Sequence, residues 1–136
     1  MNAMRRHRVK VIVSANAKGR ILKADSPLSF LGGVDPATGV VVDESHPLCG
    51  KTIRGTMLVI PRGKGSTVGS YVLYSLVARN AAPAAIIMRE IDMIVATGCV
   101  LGEIPLAIAR ADVWDTLRDD LLAELDPGSS SLSVLE

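Results

Sequence analysis

Met57-Leu58-Val59-Ile60 runs directly into Pro61-Arg62-Gly63-Lys64-Gly65-Ser66-Thr67-Val68-Gly69-Ser70. The first four residues are apolar and β-prone, and the decapeptide is a glycine-rich turn that opens a helical stretch. From Thr67 to Arg79, Val68, Val72 and Leu76 recur at helical spacing, with Tyr71 and Leu73 beside them. Ser66 or Thr67 is the expected N-cap, and Asn80 followed by Pro83 is the expected stop. A strand, a glycine turn and a helix in succession bring bare backbone N–H groups to the positive end of a helix dipole. Such a turn suits an anion, or an oxygen that must carry negative charge. The Ser66 hydroxyl stands in that field.

Working outward, residues 8–15 read as a strand in which Val9, Val11 and Val13 alternate. Gly19 is expected to break it, with residues 20–24 as its return. Residues 26–39 form an apolar but turn-rich loop, long for a passive connection. Residues 40–42, 56–60, 84–88, 94–97 and 104–109 read as further strands. The tail has two readings. Residues 112–125 make one amphipathic helix, or a helix ends near Arg118 and a hairpin pairs 121–125 with 132–135 around Asp126-Pro127-Gly128. These elements predict an α/β fold in a single domain spanning 1–136: a compact barrel-like or layered sheet with one or two helices.

Composition narrows the function. With 49% hydrophobic but only 3% aromatic residues, the core must be aliphatic. A formal charge of +1 argues against a broad polyanion-binding surface. The one local excess, Arg5-Arg6-His7-Arg8, lacks interleaved aromatics and reads as a solvated, frayed terminus. Cys49 and Cys99 are too few for a disulfide framework or for a complete iron–sulfur cluster. His46 and Cys49 lack further ligands, so no metal site is expected, and Cys99 reads as a small buried side chain. No apolar stretch reaches membrane-spanning length, and the N-terminus lacks a signal-peptide core. A cytoplasmic protein is the expectation.

Two phosphate-loop readings of the turn fail on spacing. A Walker A loop would need glycine at Leu58 and Ser or Thr at Gly65. A dinucleotide fingerprint would need its third glycine at Val68, one residue before Gly69.

The run from Gly63 to Leu73, together with Ser29-Phe30-Leu31-Gly32-Gly33-Val34-Asp35-Pro36-Ala37-Thr38-Gly39, resembles the small subunit of the aconitase X family. The likeness continues through residues 82–87 and 94–98 to Ile104-Pro105. It implies a swivelling β/β/α domain and a separate large subunit that holds a 4Fe-4S cluster, with none bound by this chain. The activity implied is a hydro-lyase dehydrating (R)-5-phosphomevalonate to trans-anhydromevalonate 5-phosphate, in an archaeal-type mevalonate route. Dehydration of cis-3-hydroxy-L-proline is the nearer alternative, and a noncatalytic module that binds a phosphorylated ligand or scaffolds a partner is the more distant one.

Within the resemblance Ser66 matches the family's catalytic serine, the proton acceptor. The cradle expected around it is Gly65, Thr67 and Gly69, with Lys64 and Arg62 as candidate phosphate contacts. Aconitases that act on citrate carry a carboxylate-binding arginine where Val68 stands here, which favours a monocarboxylate bearing a phosphate. Phe30, Gly32, Gly33 and Asp35 are expected at a subunit interface or active-site rim. Glu90, Asp92 and Glu103 read as solvated charges at strand ends, and a role for His46 stays open. An apolar patch around the glycine turn is expected if a partner covers it.

Overall fold

A computed structural model describes residues 3–136. In chain order the strands are β1 (Met4–Arg8), β2 (Lys10–Val13), β3 (Ala17–Lys23), β4 (Leu28–Ser29), β5 (Met57–Ile60), β6 (Gly63–Lys64), β7 (Ala85–Met88), β8 (Leu106–Ile108), β9 (Leu122–Asp126) and β10 (Ser131–Leu135). The helices are the single turns α1 (Phe30–Gly33) and α4 (Ala111–Trp114) and the ten-residue α2 (Gly69–Ala78) and α3 (Met93–Gly102).

Eight strands form one sheet in the order β1-β10-β9-β3-β5-β7-β8-β2. Its two edge strands, β1 and β2, are joined by Val9 alone, so the sheet must curl round to bring its edges together. Strands β3, β5, β7 and β8 run parallel, and β1, β10, β9 and β3 are antiparallel neighbours. Every residue of β5 and β7 is buried, which explains their unbroken aliphatic runs. Their faces separate two cores. Met57, Val59, Ala85, Ile87 and Ala107 point into the space between the two β layers, with Trp114, Leu125 and Leu132. Leu58, Ile60, Ile86, Met88 and Leu106 point the other way, against Leu73 and Leu76 of α2 and Val95 and Cys99 of α3. The layers are therefore β/β/α, as expected.

Helices α2 and α3 approach closely because Gly98 lies at their crossing. A Cβ there would stand 2.5 Å from Leu73 Cδ1 and 3.1 Å from the Ser70 carbonyl oxygen. This layer holds the glycine turn at the carboxyl end of β5, the usual ligand edge of a parallel sheet.

Several expectations are corrected. Residues 94–97 are helix, not strand: the Asp92 carboxylate accepts from Val95 N–H as an N-cap, and the cap outweighs the β-branched pair Ile94-Val95. Gly19 does not break a strand but lies within β3, where a Cβ would be 2.8 Å from the Gly55 carbonyl oxygen. Residues 40–42 make only isolated bridges, Val34 to Val41 and Val40 to Thr52. The single tail helix is replaced by α4 and the β9–β10 hairpin, whose turn is tied by Asp126 accepting from Gly128 N–H at 3.0 Å. The basic run at residues 5–8 is not frayed. It belongs to β1, paired residue by residue with β10, and its charges keep that exposed edge strand soluble.

Candidate active site

The glycine turn departs from β5 through Pro61, forms β6, and enters α2 at Gly69. Two sequence motifs that lie 34 residues apart (Ser29 and Gly63) become neighbours here, because β6 pairs in parallel with β4: Leu28 lies opposite Gly63 and Ser29 opposite Lys64. Gly65 has φ +89°, and a Cβ on it would meet Ser29 Oγ at 2.7 Å, so only glycine fits. The Ser29 hydroxyl donates to the Leu31 carbonyl at 2.9 Å, bracing the second turn. That turn has the angles of type II, Leu31 at φ −78°, ψ 116° and Gly32 at φ 84°, ψ −16°. Gly69 closes the contact, its Cα side facing Leu31 N and Phe30 Cβ, each 3.7 Å from where a Cβ would sit.

Ser66 is exposed at the tip, just before α2. Its hydroxyl oxygen accepts from Val68 N–H at 3.1 Å. Gly69 N–H donates to the Ser66 carbonyl and Ser70 N–H to the Thr67 carbonyl, so those two amides begin the helix and do not face a ligand. Among the described residues, the N–H groups of Ser66 and Thr67 have no protein acceptor. The helix N-cap is Val68, with no side-chain cap, and neither Ser66 nor Thr67 fills that position. The Ser66 oxygen thus faces a donated backbone hydrogen and the positive end of a ten-residue helix, both of which lower the energy of an alkoxide there.

Asp92 fixes the geometry from below. One carboxylate oxygen accepts from Gly63 N–H at 2.7 Å while the other caps α3 through Val95 N–H at 2.9 Å. Gly63 has no room for a side chain, since a Cβ would lie 2.7 Å from Val95 Cγ2. Ser70, buried, donates its hydroxyl to the Ile94 carbonyl at 2.9 Å and ties α2 to the same end of α3. In the sequence Asp92 reads as a solvated charge; an aspartate three residues before Val95, at the head of an apolar run, is the signal for a cap.

Lys64 and Arg62 diverge. Arg62 pairs with Glu90, Nε to Oε1 at 3.3 Å, on the open surface. Lys64 is exposed beside the site. The Asp43 carboxyl is held below its ordinary value first by the Ser45 hydroxyl and backbone N–H, with Lys64 a smaller contributor. His46 is buried in the same loop with both ring nitrogens engaged. Nδ1 accepts from Leu48 N–H at 3.1 Å, which leaves Nε2–H for the Ser26 carbonyl at 3.3 Å. That is a structural histidine.

Of the expected rim residues, Gly32 is exposed and Gly33 lies beneath it, near Ser29 and Asp43. Phe30 is fully buried in the helix-side core, and its exposed neighbour Leu31 takes the rim position. Asp35 shapes a separate turn, accepting from Ala37 N–H and, through its carbonyl, from Gly39 N–H. Gly39 packs on the Ala81 carbonyl, beyond the far end of α2, about 15 Å of helix away from Ser66.

The outer faces of α2 and α3 carry exposed Tyr71, Tyr74, Met93, Val100 and Leu101, with Val68 at the lip of the glycine turn. A groove of about 330 Å³ between them is lined by Val68, Tyr71, Met93, Ile94 and Leu101, with Thr67, Ser70 and Thr97 among them. This apolar patch begins at the catalytic candidate. Among the described residues no three His, Cys, Asp or Glu converge as metal ligands. Cys99 is buried in α3 with its thiol pushed up to about 12 by desolvation, while Cys49 lies exposed in a loop. The two thiols do not fit a cluster.

The Aconitase X swivel domain family matches residues 6–134. The phosphomevalonate dehydratase small subunit of Thermococcus kodakarensis is 46% identical over 125 residues, covering 92% of each chain. That of Methanopyrus kandleri is 54% identical over 118 residues, 87% of this chain and 82% of the relative. The crystal structure of Thermococcus kodakaraensis aconitase X in its holo-form superposes with a TM-score of 0.91 at 42% identity, covering 97% of this chain and 99% of that one. A UPF0107 protein solved by solution NMR gives 0.87 at 34% identity, covering 96% and 99%.

Proposed function

The chain belongs to the aconitase X swivel-domain family, and from that premise we propose that it is the small subunit of a phosphomevalonate dehydratase. The enzyme is a hydro-lyase that acts only with a large subunit. Its reaction removes water from (R)-5-phosphomevalonate and gives trans-anhydromevalonate 5-phosphate. Ser66 takes the proton from the carbon next to the substrate carboxylate. The electron pair of that C–H bond forms the new double bond, and the hydroxyl on the next carbon departs as water with the proton that Ser66 released on becoming an alkoxide.

One observation carries the role of Ser66: its exposed side-chain oxygen receives a turn amide, Val68 N–H, at the head of α2. A hydroxyl is a poor base in water. The base is therefore the Ser66 alkoxide, which the Val68 N–H and the N-terminus of α2 make easier to form before it takes the proton. The unpaired N–H groups of Ser66 and Thr67 leave room for a substrate oxyanion beside it. Lys64, an exposed point charge on the same rim, is the better candidate for the substrate phosphate, since Arg62 is engaged with Glu90. Replacing Lys64 by Met is expected to raise KM with little change in kcat.

The 4Fe-4S cluster of such enzymes finds no ligand set among the described residues, and we assign it to the large subunit. That subunit is also assigned the apolar face that starts at Val68 and runs over Tyr71, Met93 and Leu101, because closing this face excludes water from Ser66. No helix of the described residues is long and apolar enough to cross a membrane, and the reaction is assigned to the cytoplasm. The test is to offer 5-phosphomevalonate and cis-3-hydroxy-L-proline to the anaerobically assembled pair. Turnover of the first alone is expected; turnover of the second alone overturns the substrate assignment.

A further inference from the structure

A second cavity, of about 600 Å³, opens where β1 passes into β2 and β7 and β8 end. It is lined by Arg8, Val9, Lys10, Arg89, Ile108 and Arg110, four cations around an apolar floor with no carboxylate in the lining. Three features of the fold build it. Val9 is buried and donates its N–H to the Ser130 carbonyl, so Arg8 and Lys10 are held on either side of a fixed point. Lys10 lies opposite Ile108 in the β2–β8 pair. Arg89 follows β7, its N–H on the Pro61 carbonyl and its guanidinium 5.1 Å from the centre of the buried Trp114 ring.

Among the described residues only Arg110 of the four has a carboxylate within ion-pair distance, Asp112 at 2.9 Å. Arg8, Lys10 and Arg89 line one cavity with no carboxylate within ion-pair distance, so an anion bound there meets positive charge from several sides. Parallel strands present their carboxyl ends to ligands, and β7 and β8 end here. The glycine turn stands on the helix-layer side of the same edge, whereas Arg89 lies over Trp114 on the side of the core between the β layers.

We propose that this cavity is an anion site, separate from the Ser66 centre, for the diphosphate group of a small organic ligand. Arg8, Lys10 and Arg89 leave three uncompensated positive charges, which match a diphosphate better than a monophosphate. Ile108, half-buried, gives the cavity an apolar wall for a short hydrocarbon portion. Arginine forks bind phosphate oxygens in pairs, and Lys10 adds a point charge.

The assembled pair of subunits is titrated calorimetrically with inorganic phosphate, pyrophosphate and a short-chain alkyl diphosphate. Affinity is expected to rise in that order, with one site per small subunit. Lys10→Gln, on the solvent face of β2, should weaken pyrophosphate about tenfold and leave ligand-free turnover unchanged. Arg89→Gln should do the same, but it also removes the contact with Trp114, so Lys10→Gln carries the test. Lys64→Met should leave pyrophosphate binding intact. The proposal is overturned if pyrophosphate fails to bind at millimolar concentration, or if its affinity drops in Lys64→Met and not in Lys10→Gln. It is equally overturned if Lys10→Gln separates the subunits, since the cavity would then seat an acidic surface of the partner.

Discussion

Asp92→Ala severs the joint between the glycine turn and α3. The carboxylate makes two bonds at once, 2.7 Å from Gly63 N–H and 2.9 Å from Val95 N–H. Loss of the N-cap costs about 1 kcal/mol. Gly63 is buried, so its orphaned N–H adds about 1–2 kcal/mol even after partial rehydration. The sum is about 2–3 kcal/mol, which for a chain of this size lowers Tm by roughly 6–12 °C. Asp92→Asn separates the two bonds. Its oxygen can still cap Val95, but its NH2 group must face the Gly63 donor, so about half of the stability returns while the joint stays broken. If Asp92 sets the position of Ser66, both variants lose turnover by about 10²-fold at temperatures where they remain folded, because a misplacement of about 1 Å has that cost. Calorimetry and anaerobic dehydration assays on the paired subunits read the two effects separately. Full turnover in a folded Asp92→Ala pair would refute the claim that this carboxylate positions the turn.

Other outcomes follow from the charged and thiol groups. In the native chain iodoacetamide should modify the exposed Cys49 and spare Cys99, whose thiol is pushed up to about 12 by burial; equal labelling before unfolding would contradict the packing of α3. Asp43 is depressed below 3.8, chiefly by the Ser45 hydroxyl, so its contribution to stability is present above that value and fades as pH falls through the depressed one. Ser45→Ala should move the Asp43 titration, followed by NMR, back up toward 3.8, and an unmoved titration would count against that bond.

How much of this was legible in the sequence depends on where the information sits. The strand–turn–helix unit at 57–78 reads from local pattern alone, because aliphatic run, glycines and helical spacing all agree. The run at 94–97 misled because Ile and Val favour strands, and the deciding term was one capping carboxylate. Pairing of β4 with β6 is a long-range event, invisible in either segment, yet it explains why Gly65 can only be glycine beside Ser29. Gly19 belongs to the same class: it reads as a breaker until the approach of Gly55 is known. Phe30 and Asp35 share a motif with Gly32, but burial sends one into the core and turn geometry carries the other to the far end of α2. That the two edge strands of the sheet meet at Val9 likewise follows only from the partners of both flanking strands.

The central claim is that Ser66 is the proton acceptor. Ser66→Ala in the anaerobically assembled pair, assayed with 5-phosphomevalonate while size-exclusion chromatography verifies that the subunits remain together, tests it most directly. The account predicts a fall in kcat of about 10³-fold or more in an intact complex. Turnover equal to that of the unaltered pair would contradict it.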